Sequence, residues 1–200
     1  ADGIAEAGTN GGLTRFGTAV VKEMQKLKML LDISHLAPAG VNDVLRLIDG
    51  PIVASHSNAR AVCDHPRNLP DELIKEIAQR GGVVGLSLFS TLINKDKNLA
   101  DVKDLVDHID HICNLVGPDH VGLGPDFSEF SIQISQWTGN RGNMEGMQYG
   151  NKESYFHPDL KGWKQFPNIT GELLTRGYPE EAVEKVLGGN FLRLYRQMLQ

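Results

Sequence analysis

Three polar side chains stand where apolar runs of this sequence stop. They are His35 at the end of MLLDISH, His56 in PIVASHS and Asp126 in HVGLGPDF. Two imidazoles and a carboxylate brought together form a ligand set for a divalent transition metal, most often zinc, because each offers a lone pair on nitrogen or oxygen. Arg60, His65 and Arg67 follow His56 closely, in SHSNARAVCDHPRNLPDE. A guanidinium beside such a site could hold a substrate carboxylate in a bidentate pair. Arg67, just past the second run, is the favoured anchor, and Arg60 is its competitor. The remaining histidines read more plainly. His108 and His111 lie three apart in a charged helix with Asp104, Asp107 and Asp110, the pattern of a solvated face. His120 precedes a strand and reads as a turn residue, and His65 and His157 adjoin prolines with no partner implied by spacing.

The candidate ligands can meet only if the chain brings the ends of those runs together. Residues 29–35, 51–57, 83–89 and 120–127 read as strands. Helices are expected over 13–29, 38–49, 70–80, 100–117, 170–176 and 179–199. Thr14 is placed to cap the first helix, where Phe16, Val20, Met24 and Leu27 recur at helical spacing. Pro38 near the start and Gly50 past the end bracket the second. The strands are continuous apolar runs, as in a parallel sheet covered by helices, so the fold class is α/β. Parallel strands end on one edge, which places His35, His56 and Asp126 on the rim where barrels of alternating strands and helices build their sites. Leu31, Ile33, Val53, Val84, Leu86 and Leu123 are the side chains expected inside such a barrel. Residues 128–168 form a long βα loop rich in Gly, Asn and Gln. Its aromatics (Trp137, Tyr149, Tyr155, Phe156 and Trp163) favour an ordered loop packed on something.

With 200 residues, 40% hydrophobic and 22% charged, the chain is one large folded domain or part of one. The net charge of -5 and the lack of a basic block leave nucleic-acid binding without an electrostatic footprint. Cys63 and Cys113 follow neither metal nor disulfide spacing and read as small core or loop residues. No apolar run approaches the roughly 18 residues of a membrane helix. The expected location is the cytoplasm or a bacterial periplasm rather than a membrane anchor. The first residue is Ala1, so the chain is expected to be processed, cut or numbered from inside a longer protein.

Four stretches carry a family resemblance: LDISH, PIVASHSNARAVCDHPRNLPDELIKEIAQRGGVVGLSLF, DLVDHIDHICNLVGPDHVGLGPDF and EEAVEKVLGGNFLRLYRQML. Together they resemble the renal or membrane dipeptidases, peptidase family M19, which are zinc peptidases on a barrel of the metal-dependent amidohydrolase type. The resemblance covers nearly all of the chain except 128–168, and the pairing of SHSNAR with HPRNL is its most specific part. It implies that His35 and His56 are metal ligands, that Arg67 binds the terminal carboxylate of the substrate, and that Asp126 is an active-site carboxylate close to the reacting amide. It also implies two zinc ions bridged by a carboxylate, which activate water to attack the carbonyl of a dipeptide. Asp126 would then orient that water or take its proton.

Two departures stand out. The family pattern GxDFDG is here GPDFSEF, which alters the rim after Asp126. The family's N-terminal half, with its His-x-Asp metal pair, bridging Glu and substrate His, has no counterpart in these residues. Residues 1–200 therefore read as the C-terminal half of a (β/α)8 TIM-like barrel, one part of a single dipeptidase domain. The expected partners are a dipeptide, the missing half of the barrel from the same or a second chain, and further copies in a homo-oligomer. The alternatives are a non-catalytic half-barrel subunit and another metal-dependent amidohydrolase, the second opposed by Arg67 and SHSNAR.

Overall fold

The computed structural model describes residues 1–97, 99–126 and 156–199. Helix α1 (Arg15–Lys26) leads into strand β1 (Leu31–Asp32), and Thr14 caps it as expected, its hydroxyl accepting the Gly17 N–H at 3.0 Å. Helix α2 (Pro38–Leu47), with Pro38 in its first turn, connects to β2 (Ile52–Ala54). Helix α3 (Asp71–Gln79) leads to β3 (Val83–Leu86). Helices α4 (Ser90–Ile93) and α5 (Val102–Val116) lead to β4 (Val121–Leu123). The sheet has four strands in the order β1-β2-β3-β4, every pair parallel, with Leu31 opposite Ile52, Val53 opposite Val83 and Gly85 opposite Gly122. Helices α6 (Phe166–Thr175), α7 (Glu180–Glu184) and α8 (Asn190–Met198) complete the described chain. Among the described residues no helix is long and apolar enough to cross a membrane.

Three element boundaries differ from those read in the sequence. The strands are shorter, so the polar residues that end each apolar run sit in the following turns. The helix expected at 170 begins at Phe166, where Pro167 supplies a pre-set φ in its first turn. The helix expected over 179–199 is broken at Gly188, whose backbone is non-helical. Residues 128–155 of the long loop, with Trp137, Tyr149 and Tyr155, lie outside the described residues. The described end of that loop is packed in part: Leu160 is buried and the Phe156 and Phe89 rings are 4.7 Å apart between centroids, whereas Trp163, 5.2 Å from the Phe166 ring, is 58% exposed.

Strand alternation decides which side chains meet the helices. Ile52, Ala54, Val84, Leu86 and Val121 share one buried cluster with Val44, Ile74, Ile77, Ile109 and Ile112 of α2, α3 and α5. Leu31 and Ile33 belong to that cluster too, with Leu123 packed against it. These residues were expected inside a barrel; the pleat instead turns them outward to the helix layer. Of the expected set only Val53 faces the other way. It lies with Val83 and Leu194, against which Phe191 and Met198 of α8 pack. Gly85 and Gly122 belong to this opposite face, where a Cβ on Gly122 would stand 2.8 Å from the Phe191 ring. Asn190 donates to the carbonyls of Pro118 and Val121 at 2.7 and 2.8 Å, and Arg193 donates to that of Asp119 at 2.9 Å. These bonds tie α8 to the N-terminal edge of the sheet, far from the rim where the candidate ligands lie.

The loop after β2 is held by a buried polar network. Asn58 donates to the Ser87 carbonyl at 3.1 Å and accepts the Ser87 N–H at 2.8 Å. Asn68 accepts the Asn58 N–H at 3.2 Å and donates to the carbonyls of Cys63 and Leu92, both at 2.8 Å. His108 is fully buried in this network and is not part of a solvated face. Its Nδ1 accepts the Ala59 N–H at 3.1 Å, so Nε2 carries the proton and donates to the Ile93 carbonyl at 2.8 Å. The acidic residues around it are matched as well. Asp104 accepts the N–H of Asp101, the N-cap of α5, at 2.9 Å and binds Lys97 at 2.7 Å, Asp107 and Asp110 each hold Arg176 at 2.6 Å, and His111 meets Asp71 at 2.8 Å. Their partners lie on other elements, which the spacing within α5 does not reveal.

Two measurements check this arrangement. Gly122→Ala should cost about 1–3 kcal/mol in urea unfolding through overpacking against Phe191. Adding Phe191→Leu should recover part of that loss, and additive costs would contradict the contact. The second concerns pH. Burial holds the pKa of His108 below its ordinary value, outweighing the Ile93 hydrogen bond that raises it. As pH falls below about 6.5, the unfolded chain takes up this proton before the folded one does. Stability should therefore decline on acidification, by at most about 1.4 kcal/mol per pH unit from this group. His108→Gln should flatten that decline, and an unchanged slope would contradict the assignment.

Candidate metal centre

The three rim residues converge. His35 follows β1, His56 follows β2 and Asp126 follows β4, and one ligand atom from each lies within 4.8 Å of the others. The rings of His35 and His56 are 4.9 Å apart between centroids and tilted by 53°. Donors bound at 2.0–2.1 Å to a tetrahedral cation stand roughly 3.3 Å apart, so small rotamer adjustments suffice for these residues to share an ion. His35 (φ 68°) and Asp126 (φ 57°) both have left-handed backbone. Non-glycine residues hold that conformation at a cost of about 1–3 kcal/mol, and such residues cluster at functional sites. Burial, then the charges of Arg67 and His56, hold the pKa of His35 below its ordinary value against the opposing pull of Asp126. Its imidazole is thus neutral at pH 7, with a lone pair to give.

His56 is positioned through Ser55 and Asp32. Asp32 Oδ1 accepts the N–H groups of Ser34 and Ser55, both at 2.9 Å, and Oδ2 accepts the Ser55 hydroxyl at 2.5 Å. The Ser55 hydroxyl lies 2.7 Å from His56 Nδ1, and the His56 N–H donates to the Ser34 hydroxyl at 3.1 Å. Partial desolvation works against the Asp32 carboxylate. The hydrogen bonds from Ser55 and Ser34 outweigh it and leave the pKa below the ordinary carboxylate value. The Ser55 carbonyl is hemmed in from the other side, since a Cβ on either Gly85 or Gly124 would fall on its oxygen. These two glycines let β3 and β4 approach the end of β2 closely.

Arg67 is only 6% exposed. Its Nη2 donates to the His56 carbonyl at 3.2 Å, and its N–H donates to His65 Nδ1 at 3.1 Å. His65, which spacing left without a partner, thus holds the Arg67 backbone. Arg60 lines the same cavity as Arg67 but is engaged in the loop itself, donating to the carbonyls of Asn68 and Pro66, both at 3.0 Å. Between α2 and α3 lies a cavity of about 400 Å3, with His35, Ser57 and Arg67 at its polar end and Val41, Leu45 and Leu73 along its apolar wall. His35, His56, Asp126 and Arg67 therefore gather at one rim, as the sequence suggests. The sequence reading gave no role to Asp32, Ser55, Asn58 or Asn68, and it placed His108 on a solvated face. For Asp32 and Ser55 a signal was available, since both stand at the polar ends of apolar runs beside His35 and His56.

The whole arrangement can be set beside known proteins. The family profile of the membrane dipeptidases, peptidase family M19, matches residues 1–138 and 146–200. Dipeptidase tcpJ of Claviceps purpurea is 32% identical over 194 residues, which is 97% of this chain and 40% of that protein. The chain thus spans well under half of that relative's length. A metallopeptidase from Rhodobacter sphaeroides, solved with a phosphinate mimic of the dipeptide L-Ala-D-Ala, superposes with a TM-score of 0.77 at 29% identity, covering 94% of this chain and 47% of that one. An amidohydrolase from Pseudomonas aeruginosa superposes with a TM-score of 0.79 at 32% identity, covering 94% and 58%. The parallel sheet, the gathered rim and the match over nearly the whole sequence agree, and the chain belongs to the membrane dipeptidase family, peptidase family M19.

Proposed function

We propose that this chain forms part of a metal-dependent dipeptidase. The observation that carries the reading is the convergence of His35, His56 and Asp126 within 4.8 Å on one rim, in a chain of the membrane dipeptidase family. The proposed ion is zinc, held here by His35 and His56, with two ions in the complete protein. A bound divalent cation supplies Lewis-acid chemistry, polarising an amide carbonyl and bringing water into the acidity range of neutral pH. Asp126, on the same rim, orients the attacking water and accepts its proton. Arg67 anchors the C-terminal carboxylate of the substrate. Its guanidinium is nearly buried, where a charge-assisted pair is stronger than in water. An anchor so close to the ligands fits short peptides, and L-Ala-D-Ala is a reasonable first substrate.

The same reading makes the four-stranded sheet one half of a closed barrel. β1 and β4 each have a single strand neighbour among the described residues, and such edges call for pairing. Dipeptidase tcpJ, of which the matched region is 40%, is more than twice as long as that region, which leaves room for four further strands and the remaining metal ligands. Phe191, pushed up from the lower edge against Gly122, then plugs the bottom of the barrel.

The test is hydrolysis of L-Ala-D-Ala by the full-length protein, compared with its Arg67→Lys variant. A point charge cannot replace the fork, so kcat/KM should fall by about 2–3 kcal/mol, roughly 30- to 150-fold. Equal values would remove Arg67 from the site, and no hydrolysis of any dipeptide by the wild type would overturn the function.

A further inference from the structure

We infer that Asp32 and Ser55 act as a relay that fixes the tautomer of His56, so that its Nε2 presents a lone pair to the metal site. The relay rests on the reading of His56 as a ligand, but its own logic comes from proton counting. Asp32 Oδ2 is a carboxylate acceptor with no proton to give. The Ser55 hydroxyl has one proton, and at 2.5 Å from Oδ2 that proton points to Asp32. Its oxygen can then only accept from His56 Nδ1, 2.7 Å away. The ring must carry its proton on Nδ1, and Nε2 is left unprotonated. In the opposite tautomer the proton would sit on the nitrogen that has to bind the cation, and two lone pairs would face each other between Ser55 and Nδ1.

The surroundings hold the relay in this polarity. Oδ1 of Asp32 is occupied by the Ser34 and Ser55 N–H groups, so the carboxylate cannot rotate away without leaving two backbone donors unmatched. The Ser55 main chain is wedged against Gly85 and Gly124, and the other oxygen within reach of its hydroxyl, that of Ser34 at 3.5 Å, is a full ångström farther than Asp32 Oδ2. Asp32 and Ser55 are thus positioning residues. They act through His56 and touch neither substrate nor ion. Partners that orient a ligating histidine in this way are commonly worth 10- to 100-fold in metal affinity.

The Asp32→Asn variant tests the relay because it inverts the polarity. The Asn carbonyl can still accept the two backbone N–H groups, while its amide now donates to Ser55. The Ser55 proton turns to Nδ1, and the ring proton is driven to Nε2. Long-range nitrogen–proton NMR correlation of the full-length, metal-free protein reads the tautomer directly. Wild-type His56 should be protonated on Nδ1 and the Asp32→Asn variant on Nε2. Zinc affinity, measured by competition with a chelator, should fall roughly 10- to 100-fold in Asp32→Asn, while Ser55→Thr, which keeps the hydroxyl, should stay close to wild type. A wild-type proton on Nε2, or the same tautomer in both proteins, would overturn the relay. If zinc leaves the wild-type His56 Nε2 resonance unmoved while the tautomers behave as expected, the relay stands and the ligand reading of His56 fails instead. The wild-type spectrum keeps the inference decidable even where a variant folds poorly.

Discussion

The end of β2 is the fixed point of the rim. Ser55 is gripped on one side by the Asp32 carboxylate, which takes both its N–H and its hydroxyl. On the other side Gly85 and Gly124 bring their backbones against its carbonyl with no room for a Cβ. The strands on either side of β2 are thereby referenced to one residue, and that residue adjoins His56. The Arg67 side chain takes its bearing from the His56 carbonyl. A shift of β2 would thus move a candidate ligand and the candidate anchor together, and productive sites tolerate errors of only about 0.5 Å.

Arg67 reaches this point through a loop whose rigidity comes from polar groups. Asn68 and His108 satisfy backbone groups of Asn58, Ala59 and Cys63 from the inside, Asn58 ties the loop to Ser87, and His108 links the loop to the Ile93 carbonyl. Apolar packing would have left those amides and carbonyls unmatched, at about 1–3 kcal/mol each. The arrangement makes the site sensitive to acid. The same imidazole that completes the network loses its acceptor when it is protonated, so the loop that carries Arg67 weakens as pH falls.

Much of this was legible before the structure. The α/β alternation, the parallel sheet, the Thr14 cap and the gathering of His35, His56, Asp126 and Arg67 follow from apolar runs that end in polar residues. The facing of the strands was not legible. Continuous apolar runs hide the period of two, so Leu31, Ile33, Val84, Leu86 and Leu123 read as interior, whereas the pleat gives them to the helices. Two glycines, Gly85 and Gly122, mark the opposite face, because Phe191 occupies the space their side chains would need. The burial of His108 was hidden for a different reason. Its neighbours in sequence are acids that look solvated, and their partners, Arg176 and Lys97 among them, come from elsewhere in the chain.

The claim on which the rest depends is that His35 and His56 share one cation. Crystals of the full-length protein grown with zinc, with anomalous data collected on both sides of the zinc edge, test it most directly. The account predicts an anomalous peak at about 2.0–2.1 Å from a ring nitrogen of each histidine, with the Asp126 carboxylate beside it. Both rings turned away from each other and from every anomalous peak would contradict it.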